Sequence, residues 1–281
     1  MIHRVYNGKT IMNIQTSSDI DTLWQYMRSE AQAASDAQPL MASFFHSNIL
    51  NHANFSSAIR FYLSNHLASD HLSAMMLNDV FEVAMQADPS IEMCMCQDLL
   101  AHYIRDPACE QYITPFLYFK GYRAMQSYRI AHHLWLKERT LLASYIQSRV
   151  SELFDVDIHP AAKIAGGIMV DHATGVVIGE TAVIEENVSM LHAVTLGGSG
   201  ADKGQRHPTI RKGVLISVGA KILGNIDIGE GAKIGAGSVV LENVPAHVTV
   251  AGVPAKIVGR SSCDMPALEM DHQIESEHSY V

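Results

Sequence analysis

The chain has 281 residues, 48% apolar and 17% charged, a composition that supports one large or two modest hydrophobic cores. Its formal charge of −9 argues against nucleic acid, whose phosphates call for clustered Lys and Arg. No apolar run reaches the roughly 18 residues of a membrane span, and the opening MIHRVYNGKTIMN lacks the apolar stretch of a signal peptide.

The first half reads as helix. Asp21-Thr22-Leu23-Trp24 opens an amphipathic segment through Met27 with a polar tail toward Ser35. Pro39 begins a second segment carrying Leu40, Met41, Phe44, Phe45 and Ile49. Phe55, Ile59, Tyr62, Leu63 and Leu67 recur at three and four, the stripe of a third helix. Further helical stretches are expected at about 73–86, 90–103 and 115–152, broken at Asp88-Pro89 and Asp106-Pro107. Cys94 and Cys96 lie two apart and point to different helix faces, a poor arrangement for one metal. With Cys109 and Cys263 they form no CxxC pair and read as reduced thiols of a cytoplasmic protein.

Beyond residue 155 the texture changes. Only Gly8 and Gly121 precede it, and every other glycine follows it. An aliphatic residue now returns every six positions: Ile158, Ile164, Val170, Val176; after a two-residue slip, Ile178, Ile184, Met190, Leu196; then Ile210, Ile216, Ile222, Ile228, Ile234, Val240. That period fits neither an amphipathic helix nor a simple alternating strand. It fits short strands joined by tight turns, three hexapeptides to a coil, with the aliphatic residue pointing into a narrow prism. The fold class expected is therefore α + β, an N-terminal α-helical bundle over 1–154 followed by a left-handed parallel β-helix over 155–260. A loop at 197–209 interrupts the β-helix, and a flexible C-terminal tail occupies 261–281, polar and acidic and without the period.

Chemistry-bearing residues stand out against this repeat. His172 follows Asp171, and Asp157 lies two hexapeptides upstream; a histidine beside a carboxylate can take a hydroxyl proton. Which aspartate reaches His172 is open at this level, as is a plain turn role for the histidine. His159 and His192 read as structural. The glycine-rich, polar loop carries Arg206-His207-Pro208 and cannot itself be a coil.

Asp157-Ile-His-Pro-Ala-Ala-Lys, Asp171-His-Ala-Thr-Gly, Leu196-Gly-Gly, Arg206-His-Pro and Gly252-Val-Pro-Ala-Lys resemble, in order and spacing, the motifs of the serine O-acetyltransferases. Arg105-Asp106-Pro107-Ala108, Thr114-Pro115 and Tyr128-Arg129-Ile130 extend the resemblance into the helical half, over about residues 20–260. The resemblance implies acetyl transfer from acetyl-CoA to the hydroxyl of L-serine, without a metal. It implies His172 as general base and Asp157 as the carboxylate orienting it. Arg206 and His207 would hold the substrate carboxylate, and Asp98 and Asp171 would lie near its ammonium, with Asp106 a further candidate beside a turn role. Gly198, Lys233 and Ala236 match positions along the acyl-donor cleft, where Ser217-Val218 departs from the small residues of many relatives.

It further implies L-cysteine as feedback inhibitor, a homotrimer or a dimer of trimers, and docking of cysteine synthase by the tail. There Val281 replaces the usual terminal isoleucine, at a cost of about 0.8 kcal/mol for one buried methylene. Three other readings stay open from sequence. They are a hexapeptide acetyltransferase with a sugar or homoserine acceptor, a zinc enzyme of the γ-carbonic-anhydrase type, and a scaffold that only docks cysteine synthase.

Overall fold

In a computed structural model of the chain, residues 4–6, 9–200, 204–261 and 263–272 are described. A hairpin of β1 (Arg4–Tyr6) and β2 (Lys9–Ile11) precedes eight helices: α1 (Ser17–Ala37), α2 (Ala42–Phe45), α3 (Phe55–Leu67), α4 (Ala74–Ala87), α5 (Ser90–Arg105), α6 (Ile113–Tyr118), α7 (Lys120–Leu136) and α8 (Thr140–Phe154). Helix α1 starts earlier than its apolar stripe suggests because Thr16 and Asp19 form a capping box. Asn54 and Ser57 do the same for α3. The stretch expected at 115–152 is broken twice, at extended Phe119 and at a turn where Glu138 takes φ +58. Trp24, Phe55, Tyr62 and Phe116 build the centre of this helical layer through edge-on and tilted ring contacts.

Helix α8 ends at Asp155 in the left-handed conformation (φ 56) and delivers the chain directly into β3 (Val156–Ile158). Three parallel sheets then close a prism. The first holds β3, β6 (Val176–Ile178), β9 (Thr195–Gly197), β12 (Lys221–Leu223) and β15 (Val239–Val240). The second holds β4 (Lys163–Ile164), β7 (Val183–Ile184), β10 (Thr209–Ile210) and β13 (Asp227–Ile228). The third holds β5 (Met169–Val170), β8 (Ser189–Met190), β11 (Leu215–Ile216), β14 (Lys233–Ile234) and β16 (Val248–Gly252), with β17 (Ala255–Arg260) antiparallel at its end.

Register bears out the six-residue rhythm: Ile158, Ile178, Leu196, Ile222 and Val240 share one ladder. Ile164, Ile184, Ile210 and Ile228 share the second, and Val170, Met190, Ile216, Ile234 and Val250 the third. Val176 is buried but pairs with Val156, so the inward ladder position of that coil is Ile178.

Along the strands of the prism the N–H groups donate to the following coil, for example Lys163 to Ala182 O, Ala165 to Ile184 O and Asp171 to Met190 O, while some turn N–H groups, such as Asn187 to Gly166 O, donate backward. Carbonyls therefore point backward, and those of the first coil have no preceding coil to meet. Side chains of α5 and α7 supply donors instead. Tyr128 Oη donates to Ala162 O (2.5 Å), Arg129 Nη1 to Ile164 O (3.2 Å) and Nη2 to Ala165 O (2.7 Å). The same cap includes Asp98, 0% exposed. One of its oxygens accepts from Ile168 N–H (2.8 Å), the other from Gln126 Nε2 (3.1 Å) and Arg129 Nε (2.8 Å). Arg105 adds bonds to Ser189 Oγ (3.0 Å) and Asn187 Oδ1 (3.1 Å).

The tail expected from residue 261 is ordered in part. Met265 packs on Gly213, where a Cβ would lie 3.0 Å from Met265 Cγ. A short helix α9 (Pro266–Glu269) buries Ala267 against the prism, with Ala267 N–H bonded to Gly213 O (3.2 Å) and Ser189 Oγ donating to Ala267 O (2.9 Å). Specific docking of one small residue, rather than a repeat, holds this segment. The residues expected to dock cysteine synthase, Ser279 to Val281, lie outside the described residues. No helix among the described residues is long and apolar enough to cross a membrane.

Removing one partner of a buried ion pair leaves the other charge uncompensated. Asp98→Ala should therefore lower unfolding stability by about 3–5 kcal/mol, and Tyr128→Phe, which orphans Ala162 O, by about 1–3 kcal/mol; chemical denaturation measures both.

Candidate active site

Each coil turns at three edges of the prism; His172 stands on one of them and the Arg206-His207 loop on another. On the edge joining the third sheet to the first, the topmost turn is longer than those below it. Val170 and Ile178 are eight positions apart in the ladders, whereas Met190 to Leu196, Ile216 to Ile222 and Ile234 to Val240 are each six. The two extra residues form a bulge in which His172 (φ 56) and Ala173 (φ 60) both take the left-handed conformation. Ala173 is buried, while the His172 side chain stands 70% exposed. The bulge fits because Gly121 of α7 lies beneath it: a Cβ there would sit 2.1 Å from Val170 O and 3.0 Å from Ala173 Cβ.

His172 Nε2 lies 3.4 Å from Asp171 Oδ2. The ring of His192, one coil on, meets it edge to face with centroids 5.7 Å apart. His192 was read as structural, yet its buried Nδ1 has no hydrogen-bond partner among the described residues. Lys120 Nζ bonds Thr174 Oγ1 in the same turn. Asp157 lies on β3 at the side of this sheet, where its Oδ1 accepts from Gln147 Nε2 of α8 at 2.7 Å. The carboxylate in contact with His172 is thus Asp171, and Asp157 borders a groove walled by Ser144, Gln147, Ser148, Ser151 and Glu152. Ser217 and the exposed Ala236 occupy later turns of the His172 edge.

The second of these edges joins the first sheet to the second. Here the turn Gly179-Glu180-Thr181 grips the end of the long loop. Glu180 pairs with the Arg206 guanidinium, which holds its carboxyl below the usual range. Thr181 Oγ1 accepts from the backbone N–H of Arg206 (3.0 Å) and of His207 (3.2 Å). His207 is 7% exposed, and burial, reinforced by the Arg206 charge, pushes its pKa down. Gly198 opens the same loop, with no side chain to crowd Arg206 and His207. His159 lies nearby with Trp135 edge-on at 5.0 Å and its Nδ1 accepting from Ala161 N–H (3.0 Å), in keeping with a structural role.

Three sequence candidates lie in the following surroundings. Asp98, expected near a substrate ammonium, is fully buried, and its oxygens accept from the cap described above. Asp106, at the end of α5, is partly exposed and also caps a turn through Ala108 N–H (2.8 Å). Lys233, expected to meet cofactor phosphates, is 5% exposed and bonds Asp271 Oδ2 at 2.9 Å, while Ser217 Oγ and His272 Nδ1 are 3.0 Å apart. The segment after α9 therefore lies along positions that the sequence resemblance matched to an acyl-donor cleft. No sequence signal marked Gln147, Glu180, Thr181, Asp271 or His272: Glu180 and Thr181 fill variable turn positions of a hexapeptide, the others lie outside the repeat, and their contacts arise only by proximity in the fold.

The described residues contain no group of three or more His, Cys, Asp and Glu suited to a metal ion. His172 and His192 share one edge while His207 sits on another. Burial pushes the Cys94, Cys96 and Cys263 thiols above their ordinary range, away from nucleophilic thiolate.

Two family models match the chain: "Serine acetyltransferase, N-terminal" over residues 23–127, and "Bacterial transferase hexapeptide (six repeats)" over 207–242. The serine acetyltransferase of Salmonella typhimurium is 52% identical over 260 residues, covering 92% of this chain and 95% of that protein. The crystal structure of the Vibrio cholerae enzyme superposes with a TM-score of 0.89 at 52% identity, covering 90% of this chain and 98% of the other. A serine acetyltransferase solved with CoA gives 0.82 at 54% identity, covering 85% and 100%. With the helical cap, the hexapeptide prism and relatives of this identity across nine-tenths of its length, the chain belongs to the serine acetyltransferase family.

Proposed function

We propose that the chain transfers the acetyl group of acetyl-CoA to the hydroxyl of L-serine, with His172 as general base. The observation that carries this reading is the bulged turn, which raises an exposed imidazole beside the Asp171 carboxylate on an otherwise regular edge. His172 takes the hydroxyl proton, the serine oxygen attacks the thioester carbonyl, the carbon–sulfur bond breaks, and the leaving thiolate recovers the proton from His172. Asp171 faces the substrate ammonium; Asp157, held by Gln147, supplies the second carboxylate near the base. Arg206 and His207 hold the substrate carboxylate.

The base and the carboxylate-binding pair occupy different edges of one prism. We therefore assign the working enzyme as a homotrimer, in which the Arg206 edge of one subunit faces the His172 edge of the next. Pairing of two trimers through the helical layers remains part of the same proposal. Gly198 and Ala236, both exposed and small, let the pantetheine arm approach the backbone. Lys233 reaches a cofactor phosphate when Asp271 lets go. A solved relative is a complex with cysteine, and L-cysteine is proposed here as a competitor at the serine site. Free cysteines accord with a reducing, cytoplasmic location.

Coenzyme A release should depend on L-serine and be suppressed by L-cysteine; release with homoserine or a sugar and not with serine would redirect the acceptor. His172→Ala should lower kcat by about 10²–10⁴-fold while acetyl-CoA binding, followed by calorimetry, persists. Asp171→Asn should raise the serine KM, and Asp157→Asn should act mainly on kcat. Asp271→Ala should lower the acetyl-CoA KM by removing one hold on the Lys233 ammonium.

A further inference from the structure

Resting on the reading of His207 as a carboxylate-binding group, we propose that Thr181 is a positioning residue. It locks His207 as the neutral tautomer protonated on Nε2. The ring then offers the substrate one uncharged donor and no base.

Donors and acceptors around the ring fix which nitrogen carries the proton. The backbone N–H of Thr181 lies 3.2 Å from His207 Nδ1 and can only donate. Nδ1 must therefore carry a lone pair, which excludes both the other tautomer and the imidazolium. The Thr181 hydroxyl agrees. Its oxygen already accepts from the N–H groups of Arg206 and His207, at 3.0 and 3.2 Å, which uses both lone pairs. Its own hydrogen is left to point at Nδ1, 2.9 Å away. Gln205 Nε2 ties the two segments together by donating to Thr181 O (2.6 Å) and His207 O (2.9 Å).

The turn that carries Thr181 also receives the ring. A Cβ on Gly179 would lie 2.0 Å from both His207 Cδ2 and Nε2, so no other residue permits this approach. Nε2 bonds no described residue. The charged and titratable groups facing the ring are Arg206, Glu180 and His159; burial comes first in disfavouring the imidazolium, then Arg206, with Glu180 opposing and His159 adding slightly.

Chemically, a neutral donor beside a guanidinium binds a carboxylate without adding a second cation that would repel Arg206. With Nδ1 occupied and Nε2 protonated, His207 has no lone pair to offer the substrate hydroxyl. Proton abstraction is left to His172 alone.

The test uses the full-length enzyme and the variants Thr181→Val, Thr181→Ser and His207→Gln. Histidine-nitrogen NMR of isotope-labelled protein, with His207→Gln for assignment, reads the tautomer; steady-state kinetics across pH read the function. The wild type should show His207 protonated on Nε2 and bare on Nδ1 at neutral pH. Thr181→Val keeps the backbone N–H but removes the hydroxyl that holds the Arg206 and His207 N–H groups and donates to Nδ1. Released from that hold, the ring should leave the backbone N–H, lose the signature and raise the serine KM roughly tenfold, the worth of one hydrogen bond to a charged group, with a much smaller change in kcat. Thr181→Ser, which keeps the hydroxyl, should restore both. A proton on Nδ1 in the wild type, or a wild-type serine KM in a folded Thr181→Val enzyme, would overturn the proposal. Failure of the underlying reading is separable: a wild type without serine-dependent turnover would overturn the substrate role even where the tautomer signal is found.

Discussion

A parallel solenoid cannot satisfy its own first coil. The strand N–H groups of the prism point forward, so the opening coil presents backward-facing strand carbonyls with no strand behind them. The helical layer answers this with Tyr128, Arg129 and their counter-ion Asp98, all carried on α5 and α7. An arginine is suited to the task because its planar fork reaches two adjacent carbonyls, Ile164 O and Ala165 O, at once. Its charge then requires Asp98 in the same buried space, and Asp98 is in turn oriented by Ile168 N–H. Cap and coil form one hydrogen-bonded unit.

That unit also determines where the chemistry stands. The His172 bulge belongs to the capped coil, and it is wedged between Gly121 of α7 and the turn below. Deeper coils have shorter turns on that edge and carry Ser217 and Ala236. The long loop lies on a different edge, held by Thr181 and Glu180. A rigid prism cannot bend one edge round to the other. Stacking like prisms side by side brings the two halves together without any motion, which is the physical case for a site shared between subunits.

Much of this was legible in the residues. The hexapeptide rhythm named nearly all the inward ladders, and its two-residue slip fell at the bulge that raises His172. What was not legible depended on three-dimensional proximity. Asp98 has the residue type of an ammonium partner, and only the folded chain shows it buried against Arg129 in the cap. The segment from Met265 to His272 has no period, so nothing in its pattern announced that Ala267 would dock or that Asp271 would reach Lys233. Thr181 looks like an ordinary turn residue in the sequence, and its five hydrogen bonds to the loop appear only once the loop is folded onto it.

The central claim, a site assembled from the His172 edge of one chain and the Arg206 edge of another, is tested most directly by mixing two inactive variants. His172→Ala and Arg206→Ala proteins would be unfolded together, refolded together and assayed for serine-dependent coenzyme A release. Random trimers should recover about one quarter of wild-type activity, the share of interfaces that pair two intact edges. Mixtures that associate yet stay as inactive as their parents would contradict the account and place the whole site within one chain.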